Sequence, residues 1–310
     1  MGEGHMVTKD SQNGSPGGEG AAGQPQPVKR PMSKTPMFTA RHAARYERQD
    51  LIKEIDASEG TNLICYVGGY HTEIDRDDII GFVDLLHNIP EGEPIDLLLH
   101  TCGGDVDACE KLVSVVHAKV IDSPFRVIIP DMAKSAGTLM ALGGNTIVMS
   151  DTSELGMIDP QFPMRDNQGN EFWHSVIGYL DAHEEHTNAL LADPKNQAAL
   201  LALDHFDAKV VKKFQGIRDR TRTFAEDLLK RRGLPASTIS EELMSSKRWR
   251  THGQPINHAD AAQLGLAIEY VPTSDPRWMS YWKLYCLQRL EVGETRKIFE
   301  SAYVSQVVGD

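Results

Sequence analysis

Short apolar runs that alternate with helical stretches are the strongest constraint on the fold of this chain. IDLLLH (95–100) is almost continuously apolar, as expected for a parallel strand that is covered on both faces. NLICYVGG (62–69), FRVIIP (125–130) and NTIVMS (145–150) are similar runs, rich in strand-forming residues. Stretches with apolar residues at helical spacing separate the runs, as in 106–119. This alternation predicts βα units with right-handed crossovers and therefore an α/β fold.

Composition divides the 310 residues into three predicted segments. Twelve of residues 1–36 are Gly or Pro and this segment has no apolar periodicity, so it is predicted to be a disordered tail. Residues 37–272 contain the strand and helix patterns and are predicted to form one globular domain. Residues 273–310 are predicted to be a C-terminal helical extension that covers the core or docks on a partner subunit. Its aromatic residues are Trp278, Tyr281, Trp282 and Tyr285.

The net charge of −12, from 44 acidic and 32 basic residues, argues against several classes of protein. Nucleic-acid binding and polybasic docking on anionic membranes both need clustered positive charge. No apolar run approaches the roughly 18 residues of a membrane-spanning helix. The N-terminus also lacks the positive-then-apolar pattern of a signal peptide. We therefore expect a soluble, cytoplasmic protein with no nucleic-acid partner and no membrane insertion.

The spacing of cysteines and histidines gives little support for a metal centre. The four cysteines form no CxxC pair, which argues against a disulfide framework and against a zinc site. His183 and His186 are three residues apart on a predicted helix, a spacing that can bind a metal. No third ligand is evident, and a solvated polar face explains both residues. We therefore expect neither a metal nor another cofactor.

Two glycine-containing turns that follow predicted strands are the candidates for chemistry. The first is TCGGD (101–105), and the second is AKSAGT (133–138), in which Ser135 opens a predicted helix. A serine at a strand-to-helix turn is exposed beside backbone N–H groups that have no helical partner. Such a serine suits a nucleophile with an oxyanion hole. The alternative interpretation of Ser135 is an ordinary helix N-cap.

The two turns, taken together and in this order, resemble a known family. The segments LLLHTCGGDVDACEKLVSVV (97–116), PDMAKSAGTLMALGGNTIVMS (130–150) and ELGMIDPQ (154–161) are similar to the ClpP/crotonase superfamily. The closer resemblance is to the SppA-like serine peptidases called serine dehydrogenase proteinases. In that family a His-Thr-Pro-Gly-Gly turn precedes a Met-Ser-Gly-Gly-Thr or similar motif, and Asp-Pro-Gln follows. The resemblance covers roughly residues 45–272.

This resemblance implies a fold, an activity and site residues. The fold is the ClpP/crotonase-like repeated β-β-α superhelical fold, here with additional C-terminal helices. Ser135 is implied as the nucleophile, and the backbone N–H groups of Gly104 and Ala136 as the oxyanion hole. A peptide or protein substrate and a homo-oligomer are also implied, without a metal or a nucleotide.

Three positions depart from the family pattern. Cys102 replaces the proline before the two glycines, Ala136 replaces a glycine found in many members, and Gly253 replaces the aspartate after His252. Cys102 is interpreted as a tolerated small residue, with a redox-sensitive thiol near the site as the alternative.

The general base is open between several hypotheses. Asp159 stands where ClpP has its catalytic histidine, and His252 stands near the position of the ClpP aspartate. Because a triad is defined by geometry and roles rather than by chain order, Ser135–His252–Asp159 is the first hypothesis. The alternatives without a catalytic role are that Asp159 fixes a turn before a proline and that His252 is structural.

A serine–lysine dyad, as in SppA-type enzymes, is the second hypothesis for the base. It requires a lysine whose pKa is lowered by burial. Lys209, Lys212 and Lys213 lie on the predicted long helix where the family carries lysines. Lys134 adjoins the serine, but adjacent side chains at a helix start diverge. His174 is a further candidate by its distance along the chain from Ser135.

The sequence thus predicts a serine endopeptidase that hydrolyses peptide bonds through a Ser135 acyl-enzyme. One alternative is a catalytically inactive ClpP-like scaffold or interaction protein. In that case the substituted family positions would indicate that activity has been lost. Another is acyl-CoA chemistry on the crotonase fold, because two backbone amides also stabilise a thioester enolate. The chain has no Walker-type phosphate loop, so ATP-dependent activation would need a regulatory partner protein.

Overall fold

The computed structural model describes residue 1 and residues 34–165 and 168–309. The predicted disordered tail lies almost entirely outside the described residues. At its end, helix α1 (Pro36–Arg41) begins at the last residue of the predicted tail. The chain divides between Arg41 and His42, and the residues from His42 onward form its second unit. The sheet, the other helices and the candidate site all belong to the second unit.

The second unit is built on a seven-stranded sheet. Its five parallel strands are β1 (Asn62–Gly68), β2 (Ile95–His100), β3 (Phe125–Ile128), β5 (Thr146–Met149) and β9 (Ile268–Tyr270). Strands β10 (Lys297–Ser301) and β11 (Ser305–Val308) extend the sheet as antiparallel strands on the side of β1. The spatial order is β11-β10-β1-β2-β3-β5-β9. The α/β prediction is confirmed, and the four predicted apolar runs are β1, β2, β3 and β5.

Helices cover both faces of the sheet, and this explains why β2 is mostly apolar. Helices α3 (Asp78–His87), α4 (Val106–Val120) and α5 (Ala136–Leu142) pack on one face, in a cluster that includes Leu97 and Leu99. Helices α2 (Ala43–Glu59) and α11 (Pro276–Val292) pack on the other face, in a cluster that includes Leu98. Because successive strand residues point to opposite faces, a strand buried on both sides carries apolar side chains on both faces, and the polar residues within it need buried partners.

Short second strands follow the main strands before the next helix begins. Strands β4 (Met132–Ala133) and β6 (Glu154–Leu155) pair in parallel in a separate small sheet. Single backbone bridges continue this second layer, joining Thr101 to Ala133 and Ile74 to Gly104. The segments β3-β4-α5 and β2-bridge-α4 are therefore β-β-α units, as the ClpP/crotonase resemblance implies. This second layer places the two glycine turns next to each other.

A helical arm and a hairpin follow the second layer. The hairpin consists of β7 (Gln161–Arg165) and β8 (Glu171–Ser175), and the arm of α6 (Val176–Ala192), α7 (Gln197–Asp204) and α8 (Ala208–Arg231). Helices α9 (Ala236–Leu243) and α10 (His258–Gln263) return the chain to the sheet. The His183 and His186 rings on α6 both contact the ring of Phe206. Among the described residues, no helix has both the length and the apolar character needed to cross a membrane.

The C-terminal segment 273–310 is more than the predicted helical extension. It contains α11 and then the antiparallel strands β10 and β11, which become part of the main sheet. Trp278 and Tyr281 of α11 are fully buried against the sheet, so these aromatic residues cover the core. The two strands were not predicted because KIFES and SQVV are short and interrupted by polar residues.

The half-buried carboxyl of Asp56 on α2 predicts a pH-dependent gain in stability for Asp56→Asn. Desolvation, opposed by the Leu63 N–H and reinforced by the charge of Asp96, raises the pKa of Asp56 from 3.8 to about 6. Because the folded-state pKa is raised, the contribution of Asp56 to the free energy of unfolding is greatest below pH 3.8 and is lost as pH rises through about 6. The asparagine keeps the oxygen that accepts from Leu63 and never ionises. We expect Asp56→Asn to raise the free energy of unfolding at pH 7.5 by about 1–2 kcal/mol.

Denaturant unfolding at pH 7.5 and at pH 4 measures this effect, and the gain should largely disappear at pH 4. Asp50→Asn on the same helix is the matched control, since Asp50 is exposed and pairs only with Lys53 on the surface. A gain of equal size at both pH values, or in the control as well, would contradict the assignment to Asp56 ionisation.

Candidate active site

Ser135 occupies a strained turn between β4 and α5. Its backbone has φ 50° and ψ −113°, in the region of positive φ that non-glycine residues rarely adopt. Ser135 stands at the N-cap position of α5, but its side chain makes no capping hydrogen bond. The residue is half-buried and lines a cleft of the second unit. Backbone strain of this kind is concentrated at functional sites, where the surrounding structure holds a side chain in an unusual direction.

The two glycine turns pack directly against each other. A Cβ atom on Gly103 would lie 2.9 Å from the Cβ of Ser135 and 3.0 Å from the carbonyl oxygen of Lys134. A Cβ on Gly137, in the first turn of α5, would lie 2.5 Å from the Thr101 side chain. The glycines are therefore required for this close approach. Their spacing in the sequence brings the backbone of the first turn against the nucleophile candidate.

The two N–H groups proposed for the oxyanion hole have no acceptor within the described residues. Neither Gly104 nor Ala136 donates a backbone hydrogen bond there, whereas the neighbouring Asp105 and Gly137 amides both do. Gly104 is held at φ 143° by bonds on either side, from the Ile74 N–H to the Gly103 carbonyl and from the Asp105 N–H to the Ile74 carbonyl. Two fixed, unoccupied donors beside a serine can bind a developing oxyanion.

Asp159 lies behind His252, which lines the same cleft as Ser135. The His252 Nδ1 atom is 3.7 Å from Asp159 Oδ2, and Asp159 is buried while the His252 side chain is 35% exposed. The other carboxylate oxygen of Asp159 accepts the N–H of Ile177 at the start of α6. The structure thus brings the sequence-predicted acid and histidine together. Ser135 and His252 line the same cleft, but no hydrogen bond joins them.

Gln161 competes for the His252 nitrogen that faces Asp159. Its side-chain nitrogen donates to Asp159 Oδ2 at 2.8 Å and lies 3.3 Å from His252 Nδ1. Donation from Gln161 requires a lone pair on Nδ1, whereas a bond to Asp159 requires a proton there. A histidine that receives the serine proton at Nε2 must carry its own proton on Nδ1. The Gln161 contact therefore favours the inactive tautomer, and the Asp159 contact favours the active one.

The cleft containing these residues has a volume of about 880 Å³. Its walls combine the glycine turn with Trp173, which is 60% exposed, and with Ile217 of α8. A cleft of this size is large enough for a small-molecule ligand or for a short stretch of peptide. The hairpin β7–β8 contributes both Gln161 and Trp173, and sequence reasoning did not identify either as part of the site.

The other candidate bases occupy different surroundings. Lys134 is buried, donates to the Leu155 carbonyl and pairs with Glu154 at 2.8 Å. Lys209, Lys212 and Lys213 are exposed on α8, and the Lys213 ammonium lies over the ring of Phe162. His174 packs its ring against Phe172 and Tyr179. Neither these four lysines nor His174 line the cleft, whereas Ser135, His252 and Gln161 do.

A buried polar network lies at the end of β2, directly before the first glycine turn in the chain. His100 ends β2 and is fully buried, and its Nδ1 donates to the Gly68 carbonyl at 2.9 Å. Its Nε2 lies 3.3 Å from Asp131 Oδ2, which also accepts the hydroxyl of Tyr285 at 2.6 Å. Burial acts to raise the pKa of Asp131, but the contacts with His100 and Tyr285 outweigh it and lower that pKa. The network ties α11 to the end of β2, one residue before the glycine turn begins.

Cys102 does not have the properties of a reactive thiol. Its sulfur donates to the Tyr70 carbonyl, and burial raises its pKa above the ordinary value. A thiol with a raised pKa is protonated at neutral pH, so it is a poor nucleophile. This supports its interpretation as a tolerated small residue in the turn.

A sequence model of the ClpP-like SDH-type serine proteinases matches residues 36–292. Because this match covers most of the chain, the chain belongs to that family. The α/β architecture with its repeated β-β-α units is the ClpP-like fold. The members of that family are described as ClpP-like serine proteinases.

Individual relatives are more distant. An uncharacterised protein of Methanocaldococcus jannaschii is 29% identical over 181 residues, covering 58% of this chain and 55% of its own length. A second from the same organism is 31% identical over 128 residues, covering 37% of this chain and 42% of its own. The chain thus spans about half the length of the curated relatives it matches.

Solved structures with a similar arrangement also have low sequence identity. The membrane-bound stomatin-specific protease 1510-N is 17% identical, with a TM-score of 0.44 over 71% of this chain and 83% of its own. ClpP1 from Listeria monocytogenes is 14% identical, with a TM-score of 0.38 over 71% of this chain and 94% of its own.

Proposed function

We propose that this protein is a serine endopeptidase in which Ser135 forms an acyl-enzyme. One observation carries the proposal: a strained serine is packed against a glycine turn, and the N–H groups of Gly104 and Ala136 in the two turns have no acceptor among the described residues. Membership of a serine proteinase family supports the same reaction class.

The proposed reaction begins when Ser135 Oγ bonds to the carbonyl carbon of the scissile peptide. Its proton passes to Nε2 of His252, and the electron pair of the C=O bond moves onto the oxygen, where the two amides bind it. The C–N bond then breaks, and His252 returns the proton to the leaving amine. Water repeats these steps on the ester, so that the acid product leaves and Ser135 regains its proton.

Asp159 is proposed to orient His252 and to stabilise its protonated form. A carboxylate facing Nδ1 selects the tautomer whose Nε2 accepts a proton. Asp159 is itself fixed by the Ile177 N–H and the Gln161 amide, so its position does not depend on substrate. In the observed arrangement Gln161 must yield Nδ1 to Asp159 before His252 acts as a base. Substrate in the cleft contacts the same hairpin, which gives it a route to trigger this exchange.

Labelling with a fluorophosphonate probe tests the proposal directly. We expect a single adduct on Ser135 by intact mass and peptide mapping, because only an activated serine reacts with such a probe. A folded protein that gives no adduct would contradict an activated serine. Bound CoA identified by mass would then indicate acyl-CoA chemistry, and its absence a scaffold.

The identity of the base is tested by comparing His252→Ala with Lys212→Ala. We expect the histidine variant to lose about 10²- to 10⁴-fold in kcat on a fluorogenic peptide, as general-base loss does. The lysine variant should stay within about twofold of the wild type, because Lys212 is exposed and does not line the cleft. Steady-state rates at saturating peptide measure both effects.

Asp159→Asn separates catalysis from folding in this assignment. Asparagine keeps an oxygen that can accept the Ile177 N–H, but it has no negative charge. The group that faces His252 Nδ1 is then an uncharged amide instead of a carboxylate. We expect a loss in kcat similar to that of His252→Ala, with an unchanged thermal midpoint. Activity that survives in His252→Ala but is lost in Lys212→Ala would transfer the role of base to the lysine.

A further inference from the structure

A second cavity, of about 200 Å³, lies where α4, α5 and α8 end. It is lined in part by His117, Asn145, Arg231 and Arg232, and its surface is mostly polar. This cavity, which we call the Arg231–Arg232 cavity, shares no residue with the catalytic cleft.

Arg232 has an unsatisfied guanidinium in this cavity. Its Nε and one terminal nitrogen are buried and have no hydrogen-bond partner among the described residues. The remaining nitrogen donates to the Asn145 carbonyl at 2.9 Å. Burial lowers the pKa of Arg232 to about 10, with no carboxylate to oppose the effect. A buried charge without a partner is costly, and a counter-ion would remove that cost.

Arg231 adds a second positive charge at the same place. It forms no ion pair within the residues described, and it lies close enough to His117 to lower the pKa of that imidazole, although burial is the larger cause. The only carboxylate that lines the cavity is Asp122, which is exposed and pairs with neither arginine. In a chain with 44 acidic and 32 basic residues, two adjacent arginines without a carboxylate partner are unusual.

The helix ends around the cavity do not account for both arginines. Carbonyl groups at helix C-termini carry partial negative charge and attract cations. Here the Gly143 carbonyl already receives His117 Nε2 at 2.7 Å, and the His117 carbonyl receives the Ile121 N–H. The Asn145 carbonyl takes one nitrogen of Arg232. Two nitrogens of Arg232 and the whole Arg231 head remain for another partner.

We propose that the Arg231–Arg232 cavity binds a small oxyanion, either phosphate or a carboxylate. The unpartnered Nε–H and Nη1–H groups of Arg232, together with the second N–H of Nη2, can each donate to an oxygen of such an anion. A cavity of about 200 Å³ holds one small ion with a few waters and excludes a nucleotide or a longer ligand. The cavity floor includes Gly143, directly after the helix that begins at Ser135, so the bound ion would brace the far end of that helix.

Isothermal titration calorimetry with inorganic phosphate and, separately, with acetate tests this site at constant ionic strength set by chloride. We expect saturable one-to-one binding of at least one anion, and a rise in thermal midpoint with its concentration. Arg232→Gln should weaken binding at least tenfold. Arg232→Lys, which keeps the charge but not the paired donors, should weaken it severalfold.

Arg231→Gln decides the result if Arg232→Gln does not fold, since Arg231 is exposed and its loss should still weaken binding about threefold or more. Arg250→Gln, another exposed arginine that does not line the cavity, is the matched control and should bind as the wild type does. Binding of phosphate but not acetate identifies a tetrahedral anion, and the reverse identifies a carboxylate. Absence of saturable binding of both anions, or equal binding in the arginine variants and the wild type, would overturn the proposal.

Discussion

Ser135→Ala is expected to abolish peptide hydrolysis while the protein remains folded. Loss of a serine nucleophile in enzymes of this chemistry lowers kcat by about 10⁵- to 10⁶-fold, and only transition-state binding by the oxyanion hole remains. The substitution removes one hydroxyl that makes no capping hydrogen bond, so the free energy of unfolding should change by less than about 0.5 kcal/mol. Fluorogenic peptide hydrolysis and fluorophosphonate labelling both measure the loss.

Ser135→Gly separates the role of the hydroxyl from that of the strained backbone. This variant also lacks the hydroxyl, so it should be as inactive as Ser135→Ala. Because glycine tolerates positive φ, its free energy of unfolding should be about 1 kcal/mol higher than that of Ser135→Ala. Ser280→Ala on α11 is the matched serine control and should keep full activity, because Ser280 does not line the cleft. Residual hydrolysis above a tenth of the wild-type rate in both Ser135 variants would show that another residue is the nucleophile.

The parallel sheet could be predicted from the sequence because its signal is local. A strand buried on both faces is mostly apolar, and β1, β2, β3 and β5 each contain a run of at least two consecutive apolar residues. Strands β10 and β11 are short and interrupted by polar residues. In β10, Lys297 and Glu300 are buried because each forms an ion pair with a residue far away in the chain. Lys297 pairs with Asp75 and Asp78, and Glu300 pairs with Arg48.

The two glycine turns could also be predicted, since glycines beside a serine record a close backbone approach. The direct packing of Gly103 against Ser135 was not predicted, because it depends on how the second layer of short strands aligns the two turns. The surroundings of His252 could not be predicted in the same way. Gln161 reaches Nδ1 only because the hairpin β7–β8 folds beside the loop that carries His252, and no local pattern in the sequence reports that contact.

The supporting network under the glycine turn was beyond sequence reasoning for a similar reason. His100, Asp131 and Tyr285 are far apart in the chain and come from β2, from the loop after β3, and from α11. A histidine at the end of an apolar strand gives no indication of its partners. The hydroxyl of Tyr285 shows that the C-terminal segment contributes to the support of the proposed oxyanion turn, in addition to covering the core.

Gly104→Ala is expected to reduce kcat by about 100- to 1,000-fold, the usual effect of losing one oxyanion donor. The φ of 143° disfavours any side chain, and a Cβ at this position would overlap the backbone of Ile74. The bridge between Ile74 and Gly104 must therefore open, which turns the Gly104 N–H away from its present direction. Strain of this kind should also lower the free energy of unfolding by about 1–3 kcal/mol. Peptide hydrolysis at 25 °C, normalised to the folded fraction from circular dichroism, measures the catalytic part.

Gly253→Ala is the matched control, because Gly253 adjoins His252 but has open space around it and no positive φ. It should keep kcat within about twofold, since neither strain nor overlap results. A Gly104→Ala protein that is folded and equally active would show that this amide does not bind the oxyanion. The donor pair would then have to include another N–H beside Ser135, such as that of Gly103, which at present donates to the Thr101 hydroxyl.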